Sequence, residues 1–247
     1  MKTMDINWHI TADDKACVEA ILEKQHNTWL VRDRYERNLA ETKPEVTQEE
    51  FWKQMVCTRL TTLALESPGD KLDTFECLSP FPLAYDTMGR QQSREEFIYS
   101  TVSAHRVGTY RKRISKELAN NFKRLEDGEW PHALDRCNRL TIRSERQEIE
   151  ADVADYIDDT FEGFGPKQSR NLLQALGLTR FEIPIDSRVT NWLNDELKFP
   201  FRVTPTALSD RHCYRLILDA VCKLCAECNT FPCVLDAAIF SAQDKDE

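Results

Sequence analysis

A lysine and an aspartate, 19 positions apart, are the residues of this chain best suited to chemistry: Lys167 and Asp186. Lys167 directly follows Gly163-Phe164-Gly165-Pro166. Glycines at that spacing allow a hairpin with positive-φ positions. Pro166 suits the first position of a helix, where its missing N–H costs nothing. Lys167 is thus expected on the first turn of a helix whose start presents backbone N–H groups, and such groups bind anions, phosphate above all. A helix start is an unfavourable place for a cation, and a lysine in its neutral form is a nucleophile that forms Schiff bases. Asp186 follows Pro184 and precedes Val189, Trp192 and Leu193 at helical spacing, so it stands where an N-cap is expected. A carboxylate there can stabilise a developing cation and move protons.

Helices must hold these groups. Ser144 with Gln147 reads as a capping box, and Ile149, Val153, Ile157 and Phe161 follow at helical spacing up to the hairpin. Gly177 is a left-handed stop for the second helix. Residues 145–177 therefore form a helix-hairpin-helix pattern. Here the chain resembles the helix-hairpin-helix DNA glycosylase superfamily, through Phe161-Glu-Gly-Phe-Gly-Pro-Lys167 and Ile183-Pro-Ile-Asp-Ser-Arg-Val189. The resemblance implies an all-α, two-lobed fold over residues 1–247 as a single unit. It implies that Gly163, Phe164 and Gly165 grip DNA backbone phosphates. Lys167 would be the nucleophile of a bifunctional glycosylase and AP lyase, and Asp186 its catalytic carboxylate. Members limited to base removal usually lack the lysine, and the pattern is nearest to the 8-oxoguanine branch. The implied partner is double-stranded DNA carrying a modified base or an abasic site, with no cofactor, no metal and a monomeric protein. Three other readings compete: removal of hypermodified phage bases in antiphage defence, a non-catalytic DNA-binding module with Lys167 on a phosphate and Asp186 only capping a helix, and a helical protein-interaction domain.

Composition limits how DNA could be held. With 42 acidic and 33 basic residues the formal net charge is −9, which excludes retention by bulk charge but leaves room for a local basic face. The most basic stretch is 106–116, where Arg111 and Lys112 are candidate phosphate contacts. Non-specific binding is expected to be weak and salt-sensitive. Seven glycines among many helix formers favour an all-α fold. Nine cysteines without an export segment read as reduced thiols of a cytoplasmic protein, and no apolar run approaches membrane-spanning length. Cys222, Cys225 and Cys228 recur every three residues along one side of a helix and read as core, since they do not match the iron–sulfur loop of some glycosylases. The five histidines show no paired ligand spacing.

The remaining elements frame the site. One helical stretch is expected over 13–39, with Val18, Ile21, Leu22, Trp29, Leu30 and Tyr35 packed inside. Thr47 with Glu50, and Ser93 with Glu96, read as further capping boxes. The first opens a central helix carrying Phe51, Trp52, Met55, Val56, Leu60 and Leu63. A short helix spans 71–78, and a helix after Gly108 turns Tyr110, Ile114, Leu118 and Phe122 inward. A long helix starts at Thr204 or Ser209, and a last one near Phe231-Pro232. A base-stacking aromatic would come from Phe81, Trp130, Trp192 or Phe240. The loop at 63–66, where relatives of this pattern often carry a gap-filling amide, offers no residue for that role.

Overall fold

The computed structural model describes residues 6–61, 69–142 and 147–243, and among them the chain is all-α. Helix α1 (Ala12–Gln25) and α2 (Trp29–Asp33) come first, the latter continuing into a π-helical turn at Arg34–Asn38. Then follow α3 (Gln48–Leu60), α4 (Gly69–Glu76), α5 (Tyr85–Gly89), α6 (Arg94–Ala104) and α7 (Arg111–Arg124), which leads into α8 (Trp130–Asn138). The last six are α9 (Gln147–Thr160), α10 (Pro166–Ala175), α11 (Ser187–Asn191), α12 (Pro205–Leu208), α13 (Arg211–Glu227) and α14 (Pro232–Gln243). A single antiparallel bridge, Thr42 to Ile142, is the only extended pairing among the described residues. No described helix is long and apolar enough to cross a membrane.

The apolar residues gather in two clusters. The first is built from α3 to α10, around Phe51, Trp52, Met55, Phe122, Val153 and Leu172, all fully buried. The second joins the N-terminal helices to the C-terminal third, around Val18, Val31, Ile183, Tyr214, Val234 and Ile239. The chain thus starts in the second core, builds the first, and returns.

The seam between the cores is charged. The acidic face of α9 meets basic side chains of α13: Arg211 pairs with Asp158 at 2.9 Å and Asp159 at 2.6 Å, and Arg215 pairs with Asp155. Arg170 of α10, with no exposed side-chain surface, forms an ion pair with Glu182 at 2.6 Å and lies 4.7 Å from the Tyr214 ring centroid. A buried charge persists only when paired, and these partners come from both cores. Buried Glu150 accepts the backbone N–H groups of Arg180, Phe181 and Glu182 at 2.8–3.1 Å, fastening the link that carries the chain across. Burial pushes the carboxyls of Glu150 and Glu182 upward, opposed by these N–H groups in Glu150 and by Arg170 in Glu182.

Several expected elements differ. The stretch 13–39 breaks at His26–Thr28, where extended Thr28 starts α2, and Trp29 and Tyr35 lie exposed at 61% and 55%. Ser93 makes no capping bond, because its backbone (φ −111°, ψ 74°) does not aim the hydroxyl at the helix. Thr47 accepts the Glu50 N–H, but the Glu50 carboxylate takes Gln54 instead of closing a box. Tyr110 points to solvent while Ile114, Leu118 and Phe122 are buried as expected. Thr204 caps only α12, and Asp210 rather than Ser209 caps α13. Ser144 and the loop at 63–66 lie outside the described residues.

Candidate nucleic-acid and catalytic site

The hairpin between α9 and α10 is a tight turn locked from behind. Gly163 has φ +82°, a conformation that side chains resist. A Cβ there would also come within 2.6 Å of Arg59 Nε and 2.7 Å of Glu117 Oε2. Those two side chains form a buried ion pair, and the Arg59 guanidinium also faces the Phe164 ring at 5.8 Å. Asn121 of α7 completes the hold. Its amide accepts the Glu162 N–H at 2.8 Å and donates to the Glu162 carbonyl at 3.0 Å. The turn is therefore keyed to α3 and α7.

In front of this turn, α10 begins without a cap. Gly165 occupies the N-cap position in extended backbone (φ −92°, ψ −170°), so only Gly163 of the two glycines needs positive φ. A Cβ on Gly165 would meet nothing within 4 Å, which leaves open space at the helix start. Pro166 takes the first helical position as expected, and no side chain caps the helix. Among the described residues the Gly165 and Lys167 backbone N–H groups have no acceptor. The Phe164 N–H differs: it donates to the Phe161 carbonyl at 3.2 Å, and the Phe164 ring is buried. The expectation that Phe164 offers its amide to a phosphate is thereby corrected, because the turn itself consumes that donor. The second helix ends as expected, with Gly177 at φ +72° and the Leu178 N–H closing onto the Leu173 carbonyl at 2.9 Å.

Asp186 caps α11, as the sequence predicts. Its Oδ1 accepts the N–H groups of Arg188 at 2.8 Å and Val189 at 3.1 Å, and its Oδ2 accepts Arg188 Nε at 3.1 Å. Arg188 is fixed in turn by α14: its guanidinium lies 3.6 Å from the Phe240 ring centroid, and its carbonyl accepts Gln243 Nε2 at 3.4 Å. Of the four candidate stacking aromatics, Phe81, Trp130 and Trp192 are spent in the cores, while Phe240 stays partly buried against the Arg188 guanidinium. Lys167 stands at the edge of the first core and Asp186 in the second. The link 178–185 and the buried Arg170, which donates to the Pro166 carbonyl at 3.0 Å, join the two helix starts.

The basic stretch lies on α7. Arg111, Lys112 and Arg113 line a shallow groove of about 380 Å³ with Tyr99, Thr109 and exposed Tyr110. A neighbouring groove of about 470 Å³ shares Tyr99 and Lys112. Neither groove is lined by Lys167 or Asp186. Arg111 Nε is turned back onto the Val107 carbonyl at 3.1 Å.

Two basic residues escaped the sequence reading. Arg113 has a three-quarters exposed side chain whose Nε donates to Glu117 Oε1 at 2.8 Å, while the other oxygen of that carboxylate serves Arg59 beneath Gly163. It is thus the α7 cation tied most directly to the hairpin. Its signal was the i, i+4 Arg–Glu pairing inside the charge run. Lys43 lies in the segment before α3 and donates to the Leu178 carbonyl at 3.2 Å. Desolvation, with help from Arg180, pushes its ammonium down to about 8. No motif marks it.

The cysteines are all free thiols. Burial pushes Cys225 and Cys222 well above their ordinary range, as expected of core thiols. Among the described residues, no three His, Cys, Asp or Glu side chains converge as metal ligands. The chain matches no protein-family model, and no curated protein is similar to it.

Proposed function

We propose that this protein is a DNA glycosylase with an associated AP lyase activity, acting on double-stranded DNA. The observation that carries this reading is the uncapped start of α10. Two backbone donors and Lys167 share it, and the next helix in the chain, α11, begins at the carboxylate Asp186. Donors at an open helix start suit a backbone phosphate, and Arg113 beside the hairpin, with Lys112 further along α7, suits the neighbouring strand backbone. Arg111 contributes through its free guanidinium end.

The modified nucleotide is turned out of the duplex, since C1′ is otherwise shielded. Lys167 Nζ bonds to C1′ as the bond from C1′ to the base breaks, and the departing base takes up a proton. Asp186 stabilises the positive charge on the sugar and accepts a proton from the lysine nitrogen. Breaking of the C1′–O4′ bond, with O4′ taking the proton held by Asp186, then opens the sugar to an imine, and loss of a C2′ proton expels the 3′ phosphate by β-elimination and nicks the strand. The leading substrate is an oxidised purine such as 8-oxoguanine, and a hypermodified phage base is the alternative within the same chemistry.

One observation favours a second reading, a non-catalytic DNA-binding module: both carboxylate oxygens of Asp186 already serve α11 and Arg188. Borohydride trapping on duplexes carrying an abasic site or 8-oxoguanine separates the two. Wild type should form a covalent adduct, Lys167→Gln should form none, and Lys43→Gln should still trap. Duplex binding without any adduct would establish the binding module.

A further inference from the structure

Lys167 and Asp186 stand on separate helices, and two buried side chains span the gap between the residues next to them. Arg170 of α10 has no exposed side-chain surface, and its Nη1 donates to the carbonyl of Pro166, the residue before Lys167, at 3.0 Å. Its Cζ lies 4.7 Å from the ring centroid of Tyr214 on α13. Tyr214 is fully buried. Its hydroxyl accepts the N–H of Ile185, the residue before Asp186, at 2.6 Å, and donates to the Ile183 carbonyl at 2.8 Å. Pro184, between those two, brings no N–H, and this approach to α11 has no helical ladder of its own. A buried N–H and a buried C=O need partners, and one phenol supplies both. Burial pushes that phenol upward, against Arg170 and the Ile185 N–H, so its proton stays in place to be donated. A phenylalanine would fill the same space. The hydroxyl is spent on the two residues that lead into Asp186.

We propose that Tyr214 is a positioning residue: through its hydroxyl and its contact with Arg170 it sets where the Asp186 carboxylate stands relative to Lys167. This rests on the glycosylase and lyase reading above. A shift of about 1 Å between reacting groups can cost about a hundredfold in rate. Loosening this tie should therefore slow the chemistry and leave DNA binding alone, because the open start of α10 and the cations of α7 are untouched.

The test is single-turnover nicking of a duplex with one abasic site, with enzyme in excess, in wild type, Tyr214→Phe and Ile217→Val. Ile217 is fully buried on the same helix, so its variant loosens the same core and spares the hydroxyl. Both variants should melt below wild type. Tyr214→Phe should cut the limiting rate about ten- to a hundredfold and reach half of that rate at the wild-type enzyme concentration. Ile217→Val should keep the wild-type limiting rate. A role in stability alone would leave the limiting rate of Tyr214→Phe unchanged, since each folded molecule would then work as wild type does. That result, or an equal slowing in Ile217→Val, would overturn the inference with the lyase intact. Should Tyr214→Phe fail to fold, the limiting rate of Arg170→Lys decides in its place, because lysine keeps a charge for Glu182 and gives up the planar group that faces the ring. A wild-type protein that nicks no abasic duplex would overturn the parent reading and this one with it.

Discussion

The starts of α10 and α11 are built in opposite ways. Helix α10 begins at a glycine with no cap, open space where a side chain would stand, and two backbone donors without acceptors among the described residues. Helix α11 begins at an aspartate that takes two of its donors and is braced by Arg188. A helix start must give its N–H groups to something. In α11 the protein supplies the acceptor, and in α10 the acceptor is left to come from outside. The comparison supports the proposed roles, α10 as the helix start that would receive an anion and α11 as the one that holds a fixed charge in place.

The largest effect that sharpens this contrast is on chemistry at α11. Asparagine caps helices as well as aspartate does, so Asp186→Asn should leave the melting temperature near wild type and slow nicking of an abasic duplex about a hundredfold or more, the usual scale for losing a general base. Asp186→Ala should lose the cap as well, at about 1 kcal/mol in a urea titration. Equal nicking by wild type and Asp186→Asn would reduce the residue to a cap.

Next comes the lock behind the open start. Gly163→Ala places a methyl group against the Arg59–Glu117 pair at positive φ. It should cost about 2–4 kcal/mol by urea unfolding, a strained backbone combined with a disturbed buried pair. A loss below about 0.5 kcal/mol would mean that the turn relaxes freely.

Closing the open start is a milder change. Gly165→Ser introduces a hydroxyl into backbone already of N-cap geometry, with room for its Cβ. Stability should rise by a few tenths of a kcal/mol, while affinity for a short duplex falls, because the new cap competes with phosphate for the same donors. Unchanged affinity would move the phosphate away from this helix start. The smallest effects are at the arginines of α7. Arg113→Ala should weaken binding by a few-fold at 0.1 M salt and reduce the slope of log affinity against log salt by about one. Arg111→Ala should change the slope less.

Much of this was legible because it is local. Pro166 at a helix start, Gly177 at a helix end and Asp186 as a cap are decided within a few residues, and each stands where its chemistry puts it. The failures are tertiary. Nothing near Trp29 announces that it faces solvent. Lys43 and the ion pair behind Gly163 join positions far apart in the chain, for which no periodicity exists. Arg113 lay in plain view but was indistinguishable from its neighbours until Glu117 singled it out.

The charged seam between the cores carries a consequence for how the molecule responds to being pulled open. Parting two apolar faces brings oil to water and is resisted over the whole area uncovered. Parting Asp155 and Asp159 from Arg215 and Arg211 uncovers groups that water takes up readily, so these more exposed pairs resist only weakly. Resistance therefore concentrates at the dry contacts, Arg170 with Glu182 and Tyr214, and Glu150 with the link it fastens. The seam has a stiff inner edge and a compliant rim, so any parting of the two cores begins at the outer, solvent-facing side.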